Sequence, residues 1–465
     1  MERQDFLSGY DWPCPTGIIP FAHQKETSAF LAAKTKAFCF NEQGTGKTAS
    51  VIWATDYLMK RKLLKRVLVI CPLSIMSSAW QQDLFKFAVH RRVAVAYGSA
   101  NKRKEIIKSD VEYVIINFDG VQICKADIIA GGFDLIVVDE ASAYKNAQTE
   151  RWKTLRDVMR HVKGLWMLTG TPAAQSPTDA YGLAKLINPQ AVPTFFGQFR
   201  DAVMYPVTSF KWVPRPDAKE TVRRVLQPAI RFEKRQCIDL PEITYLYREA
   251  PMTAQQLKYY KKLKADMLIE AAGEEISAVN AAVKLNKLLQ IACGSVYTDT
   301  KEVVDFDAGN RLQALKEVIN EASHKVLVFV PFTHTIKQIS DYLAKQGINS
   351  EVINGSVPVA ARTDIIKRFQ EQQDPHVLVI QPQAASHGLT LTAADTIVWY
   401  APVPSVETYL QANARIDRPG QKNAMTVVHI MGSAVETKLY TLLRNNVYSH
   451  EELVKLYKQE LDEAT

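Results

Sequence analysis

The chain has 465 residues and six cysteines, and no two of the cysteines form a C-x-x-C pair. That spacing gives neither a zinc signature nor a disulfide framework, so the thiols are expected to be reduced and mostly packed. No run of 18 apolar residues occurs, so no membrane role is expected. The first ten residues, M-E-R-Q-D-F-L-S-G-Y, lack the apolar core of a signal peptide. The expectation is a cytoplasmic protein. Short-period repeats and low-complexity tracts are also missing. Acidic residues are scarce in the first half: residues 1–240 carry 34 basic and 23 acidic side chains, net +11, whereas the remainder carries 23 and 26, net −3. A basic first half suits a polyanion and does not distinguish DNA from RNA.

Against these absences stands the string N-E-Q-G-T-G-K-T, Asn41 to Thr48. Gly44, Thr45 and Gly46 permit a tight loop whose N–H groups can face phosphate. Lys47 is assigned to the β- and γ-phosphates of a nucleotide and Thr48 to Mg²⁺. A strict phosphate loop would carry glycine at position 41, where this chain has asparagine. The loop follows the apolar run Ala37 to Phe40 and precedes a helical pattern from Thr48 to Leu58. About ninety positions later Asp139 and Glu140 close another apolar run. Asp139 is expected to hold Mg²⁺ through water and Glu140 to polarise the attacking water. Loop and acidic pair together imply nucleoside triphosphate hydrolysis, with ATP and Mg²⁺ as its requirements.

Short β-branched runs recur at Val67–Ile70, Tyr113–Asn117, Leu135–Val138 and Leu165–Thr169. Each is apolar throughout rather than alternating, as expected of strands covered on both faces. A second set follows at Val326–Val330, Glu351–Ile353, His376–Ile380, Thr396–Tyr400 and Thr426–Ile430. Helical patterns between the runs make a parallel sheet in each half. The expected fold is α/β, with one lobe over 1–240, a linker and helical insertion over 241–310, and a second lobe over 311–465 ending in helices. Ala254–Glu270 and Ala278–Ile291 are helical by periodicity. Pro206–Pro228, rich in proline and arginine, is expected to be irregular, and Pro241 marks the boundary between lobes.

Arg415 and Arg418 lie three apart in Q-A-N-A-R-I-D-R-P-G-Q, Gln411 to Gln421, and are expected to share a helix face. Such a pair can stabilise charge on a γ-phosphate, although an isolated pair is more often a surface salt-bridge helix.

In this order the motifs resemble helicase superfamily two, specifically the SWI/SNF-type ATPases. Phe21-Ala-His-Gln24 resembles the adenine-reading Q motif, so Gln24 joins the nucleotide set. Asp139-Glu-Ala-Ser142 with Lys145-Asn146 resembles motif II, and Leu168 to Pro172 resembles motif III. Gly388 to Asp395 resembles motif V, and Gln411 to Gln421 is the most specific match. The resemblance spans about residues 20 to 440. It implies two RecA-like lobes in tandem, with Glu140, Arg415 and Arg418 catalytic and Ser142, Thr169 and Thr171 coupling nucleotide state to movement. Ser142 replaces the usual motif II histidine, which leaves that coupling in question. The resemblance further implies phosphate-backbone contacts by Pro72, Ser74, Asn117, Thr390 and Thr392. The basic clusters at Lys60–Arg66 and Lys102–Lys104 are further nucleic-acid candidates, each more often a solvated face taken alone.

The expected activity is ATP-dependent translocation on double-stranded DNA. The rivals are a strand-separating or fork-remodelling helicase and an ATP-switched nucleic-acid-binding scaffold. No aromatic-interleaved stacking motif points to single strands. Residues 200–310 are a candidate surface for a protein partner. Chromatin-reading modules are not evident, which suggests a minimal form of the kind expected in a bacterium or bacteriophage.

Overall fold

Runs of valine, isoleucine and leucine build two sheets in the computed structural model, which describes residues 9–170, 172–173, 176–207, 212–237, 240–271, 278–297, 302–385 and 390–445. The described residues fall into two compact units divided at Leu240.

The first unit holds β1 (Lys36–Cys39), β2 (Val67–Cys71), β3 (Val93–Ala96), β4 (Tyr113–Asn117), β5 (Leu135–Asp139), β6 (Gly164–Leu168) and β7 (Ala229–Ile230). Their order is β3-β4-β2-β5-β6-β1-β7, and every pairing is parallel. Strands β2, β4, β5 and β6 are buried at every residue. One face packs Phe38, Leu68, Ile70, Ile136 and Val138 into one core. The other packs Cys39, Val69, Val137 and Leu168 into a second. Each buried Val or Leu contributes about 1.5–3 kcal/mol, so a charged residue in β5 would break the unit.

The register fixes the site. Cys71 lies beside Asn117, Asp139 beside Leu168, and Cys39 also beside Leu168. The loop after β1, Pro72, Asn117, the Asp139–Glu140 pair and Thr169 therefore share the carboxyl edge, where parallel α/β sheets bind ligands.

The second unit contains β8 (Ile243–Glu249), β9 (Lys325–Phe329), β10 (Ser350–Ile353), β11 (Val377–Ile380), β12 (Ala394–Trp399) and β13 (Met425–Met431). The order is β8-β13-β12-β9-β11-β10, again parallel throughout. Both units thus have the parallel α/β build expected from sequence. Residues 241–310, assigned from sequence to a linker and helical insertion, supply the edge strand β8 and the helices Ala254–Ala271 and Ala278–Cys293. Tyr260, Leu285 and Leu288 share a core with Val326 and Val328.

Arg311 and Glu436, both buried, tie the helix Gly309–Glu321 to the helix Ala434–Arg444 through a contact of 2.5 Å. Arg311 also donates to the carbonyls of Tyr400 and Ile430. His429 in β13 is buried, with its Nε2 2.9 Å from the Tyr409 hydroxyl.

Seven of the described strands escaped the sequence reading, four of them in the short antiparallel pairs Met204–Pro206 with Trp212–Pro214 and Ser295–Tyr297 with Val303–Asp305. Of the other three, β3 and β8 are partly exposed edge strands, β3 only four residues of valine and alanine and β8 mixed in polarity, and β7 is two residues long. The 206–228 stretch is less irregular than expected. It contains the helix Ala218–Val225, which places Ala218, Val222 and Val225 against the core at helical spacing. Of the expected terminal helices, Ala434–Arg444 is present and residues beyond 445 lie outside the described set. Among the described residues no helix is long and apolar enough to cross a membrane.

Candidate functional site

The loop between β1 and the helix Lys47–Lys60 is held by its own backbone and by the helix Ala22–Ala32. Gly44 and Gly46 take left-handed turns, φ +82° and +77°. The Lys47 ammonium donates to the carbonyls of Asn41 at 2.9 Å and Glu42 at 3.1 Å, and the Thr45 hydroxyl donates to Glu42 O at 2.9 Å. Thr48 stands half-buried in the first helical turn. This geometry leaves the first-turn N–H groups directed at an anion site, with Lys47 beside it.

Two residues brace the loop from below. His23 Nε2 lies 2.8 Å from Thr45 O, and since a carbonyl can only accept, that nitrogen carries the proton. Burial lowers the His23 pKa, so the ring is held neutral. Gln24 Nε2 donates to the same oxygen at 3.2 Å and its Oε1 accepts from Phe21 N at 3.0 Å. A Cβ on Gly46 would stand 2.2 Å from Gln24 Nε2, so glycine is required for this approach. Asn41, out of pattern for the motif, donates to Thr27 Oγ1 at 2.8 Å and accepts from Phe232 N at 3.0 Å. Glu42 N donates to Phe232 O at 3.0 Å and Glu42 Oε2 accepts from Lys234 N at 3.1 Å. Residues 231–234 therefore run alongside the loop.

β5 ends on Asp139, which is buried. Its Oδ2 accepts from the indole of Trp80 at 2.9 Å and its Oδ1 from Glu140 N at 3.0 Å. Burial pushes the Asp139 carboxyl above its usual range, opposed by the Lys47 charge and these hydrogen bonds. A bound cation would pull it down further. Glu140 adopts φ +54°, unusual for a residue with a side chain, and its Oε1 accepts from Gln43 Nε2 at 3.3 Å. Ser142 lies half-buried in the short turn Ala141–Tyr144. Thr169 is buried, with its N–H donating to Cys39 O at 3.1 Å. Gly170 borders the loop: a Cβ there would stand 3.6 Å from Asn41 O and Gln43 N. Thr171 lies outside the described residues.

Thr48 and Asp139 supply a hydroxyl and a carboxylate, the hard oxygen donors Mg²⁺ takes when water and phosphate complete its shell. Among the described residues no cluster of three or more His, Cys, Asp or Glu could hold a metal.

Pro72 and Asn117 stand at adjacent strand ends, and Ser74 lies in the turn Leu73–Ile75. Asn117 is buried, and its Oδ1 accepts from Arg103 Nη1 at 3.2 Å. Arg103 of the second basic cluster is thus engaged with Asn117 rather than solvated. The other cluster, Lys60–Arg66, sits at the amino end of β2, the edge opposite the loop. Lys60 pairs with Asp11 at 2.7 Å and Arg66 donates to the carbonyls of Ile107, Ser109 and Val111, which makes these two residues structural.

In the second unit the arginine pair departs from expectation. The helix Val406–Asn413 ends before Arg415, and both arginines lie in the turns that follow. Arg415 is 2% exposed and its Nε donates to Gln411 O at 2.8 Å, so this arginine does not stand on a surface helix. Arg418 Nη1 donates to Thr390 Oγ1 at 2.7 Å. Leu391 N donates to Arg415 O at 3.0 Å and Gln421 Nε2 to Ala394 O at 2.8 Å. Thr390 and Thr392 thus belong to the segment that carries the arginines; Thr390 is exposed and Thr392 half-buried.

Sequence reasoning missed His23, Gln43, Trp80 and Phe232. Trp80 reaches Asp139 from a single wide helical turn, Met76–Gln81, for which no spacing rule exists.

A model of the SNF2-related domain matches residues 23–296, and one of the helicase conserved C-terminal domain matches 310–420. Chromodomain-helicase-DNA-binding protein 1-like of Danio rerio is 26% identical over 438 residues, 88% of this chain and 41% of its own length. An uncharacterised ATP-dependent helicase of Mycoplasma genitalium is 26% identical over 449 residues, 90% of this chain and 42% of its own. The chain thus spans about two fifths of the length of these relatives. Among solved structures, the Sulfolobus solfataricus SWI2/SNF2 ATPase core in complex with dsDNA is 21% identical with a TM-score of 0.47, covering 98% of this chain and 96% of that one. The chain belongs to the SNF2-related family, the SWI/SNF-type ATP-hydrolysing enzymes of helicase superfamily two.

Proposed function

We propose that the protein couples hydrolysis of MgATP to movement along double-stranded DNA. The observation that carries this reading is the meeting of Lys47, Asp139 and Glu140 at one carboxyl edge, beside a glycine loop in left-handed turns. The loop N–H groups and Lys47 bind the β- and γ-phosphates, and Gln24 reads the adenine. Thr48 and Asp139 would hold Mg²⁺, which would supply positive charge against that of the phosphates. Glu140 orients water and takes up its proton. Arg415 and Arg418 counter the charge on the transferred phosphoryl, and Ser142, Thr169 and Thr171 pass on the state of the site.

Double-stranded DNA is the proposed track, with contacts to one phosphate backbone from Pro72, Ser74, Asn117, Thr390 and Thr392. Such contacts position without reading sequence. The names of relatives that include helicase and DNA-binding support this choice. DNA stimulates hydrolysis by favouring the active state, a shift of population.

The test is ATP hydrolysis by the wild type beside Glu140→Gln, with no polymer, duplex DNA, single-stranded DNA and RNA. Duplex stimulation, with loss of at least about 100-fold in the variant, is the expected result. A rate indifferent to every polymer sinks the coupling. Displacement of a third strand but not of a forked duplex separates a translocase from a strand-separating helicase. ATP-dependent DNA affinity with negligible turnover marks an ATP-switched scaffold.

A further inference from the structure

Gln43 lies inside the phosphate loop, and none of the roles above uses it. Its Nε2 donates to Glu140 Oε1 at 3.3 Å. That same nitrogen and the Gln43 backbone N each lie 3.6 Å from the position a Cβ on Gly170 would take. One side-chain amide therefore stands where the loop, the acidic pair and the segment after β6 meet, all within the first unit. Glu140 is left-handed at φ +54°, which costs a residue with a Cβ about 1–2 kcal/mol unless its surroundings hold it. The amide N–H can only donate and an ionised carboxylate can only accept. The contact thus aims the carboxylate without competing for its proton.

We propose that Gln43 is a positioning residue, fixing the Glu140 carboxylate for its water from within the phosphate loop. The proposal rests on the reading of Glu140 as the residue that activates water.

The experiment measures steady-state ATP hydrolysis with duplex DNA for the wild type, Gln43→Leu and Gln43→Glu. Binding of a fluorescent ATP analogue is measured alongside. Gln43→Leu is expected to lower kcat about tenfold or more while KM for ATP and analogue affinity stay within about twofold. Gln43→Glu is expected to lower kcat to a similar extent, because a carboxylate cannot donate to Glu140. A Gln43→Leu enzyme with wild-type kcat overturns the proposal. So does a rise in KM at unchanged kcat, which would make Gln43 a binding residue only. If Gln43→Leu fails to fold, Gln43→Glu decides, and a wild-type kcat in that variant overturns the proposal. Wild-type hydrolysis by Glu140→Gln would sink the underlying reading whatever the Gln43 variants do.

Discussion

The indole N–H of Trp80 donates to Oδ2 of Asp139 at 2.9 Å, with both side chains buried. The carboxylate proposed for Mg²⁺ is therefore aimed by a residue 59 positions earlier in the chain. Its other oxygen takes the N–H of Glu140, so both oxygens are oriented. Partners of this kind set the direction and basicity of a metal ligand. Trp80→Phe is expected to raise the Mg²⁺ concentration for half-maximal ATP hydrolysis about tenfold or more. Magnesium titrations at saturating ATP check this, and an unchanged midpoint would remove Trp80 from the site.

Gly46→Ala introduces a Cβ 2.2 Å from Gln24 Nε2 at a residue with φ +77°. Gln24 must leave Thr45 O, and the left-handed turn becomes strained by about 1–2 kcal/mol. The expected result is at least a tenfold loss in ATP-analogue affinity with a modest fall in Tm. Wild-type affinity would show that the Gln24 brace has no bearing on nucleotide binding.

Stability should fall in mild acid through His429. Burial, reinforced by the Arg444 charge, lowers its pKa to about 3. The unfolded chain takes up the proton near pH 6.5. Between these values the unfolded state holds more protons, so stability declines as pH drops through about 6.5 and continues to decline towards 3. By pH 5 the loss is about 2 kcal/mol. Urea unfolding at pH 7.5 and 5 measures it, and His429→Gln should remove most of the difference.

Arg311 and Glu436 form the buried pair that joins two helices of the second unit. Arg311→Leu leaves a buried carboxylate facing no cation, at a cost of about 3–5 kcal/mol. Differential scanning calorimetry should show the transition of the second unit fall while that of the first stays put. Movement of both together would mean that the units unfold as one.

The phosphate loop, the acidic pair and ten of the seventeen described strands were legible because each is a local pattern: glycines at fixed offsets, or an apolar run closed by a charge. Ala37–Phe40 announced β1 in the same way. What stayed hidden depends on distant partners or on edges. Trp80 and Phe232 act on residues far off in sequence, and no spacing reveals that. β8 is half-wet, so its polar residues mask the period, and β3 is only four residues long. Arg415 was placed on a helix because its spacing suits one, yet the helix stops at Asn413 and the arginine turns inward to Gln411 O. The pairing of Arg418 with Thr390 likewise joins two motifs that sequence read separately.

Asn41 occupies the position where a strict loop has glycine, and its side chain bonds Thr27 on one side and Phe232 on the other. A glycine could do neither. The mouth of the nucleotide site is thereby moored to residues 231–234, the last described stretch but for 235–237 before the chain enters the second unit. Linkage makes such a mooring work in both directions. Nucleotide that reshapes the loop shifts the equilibrium of that stretch, and tension on that stretch changes nucleotide affinity by the same free energy. One amide thus gives the phosphate loop a strain gauge.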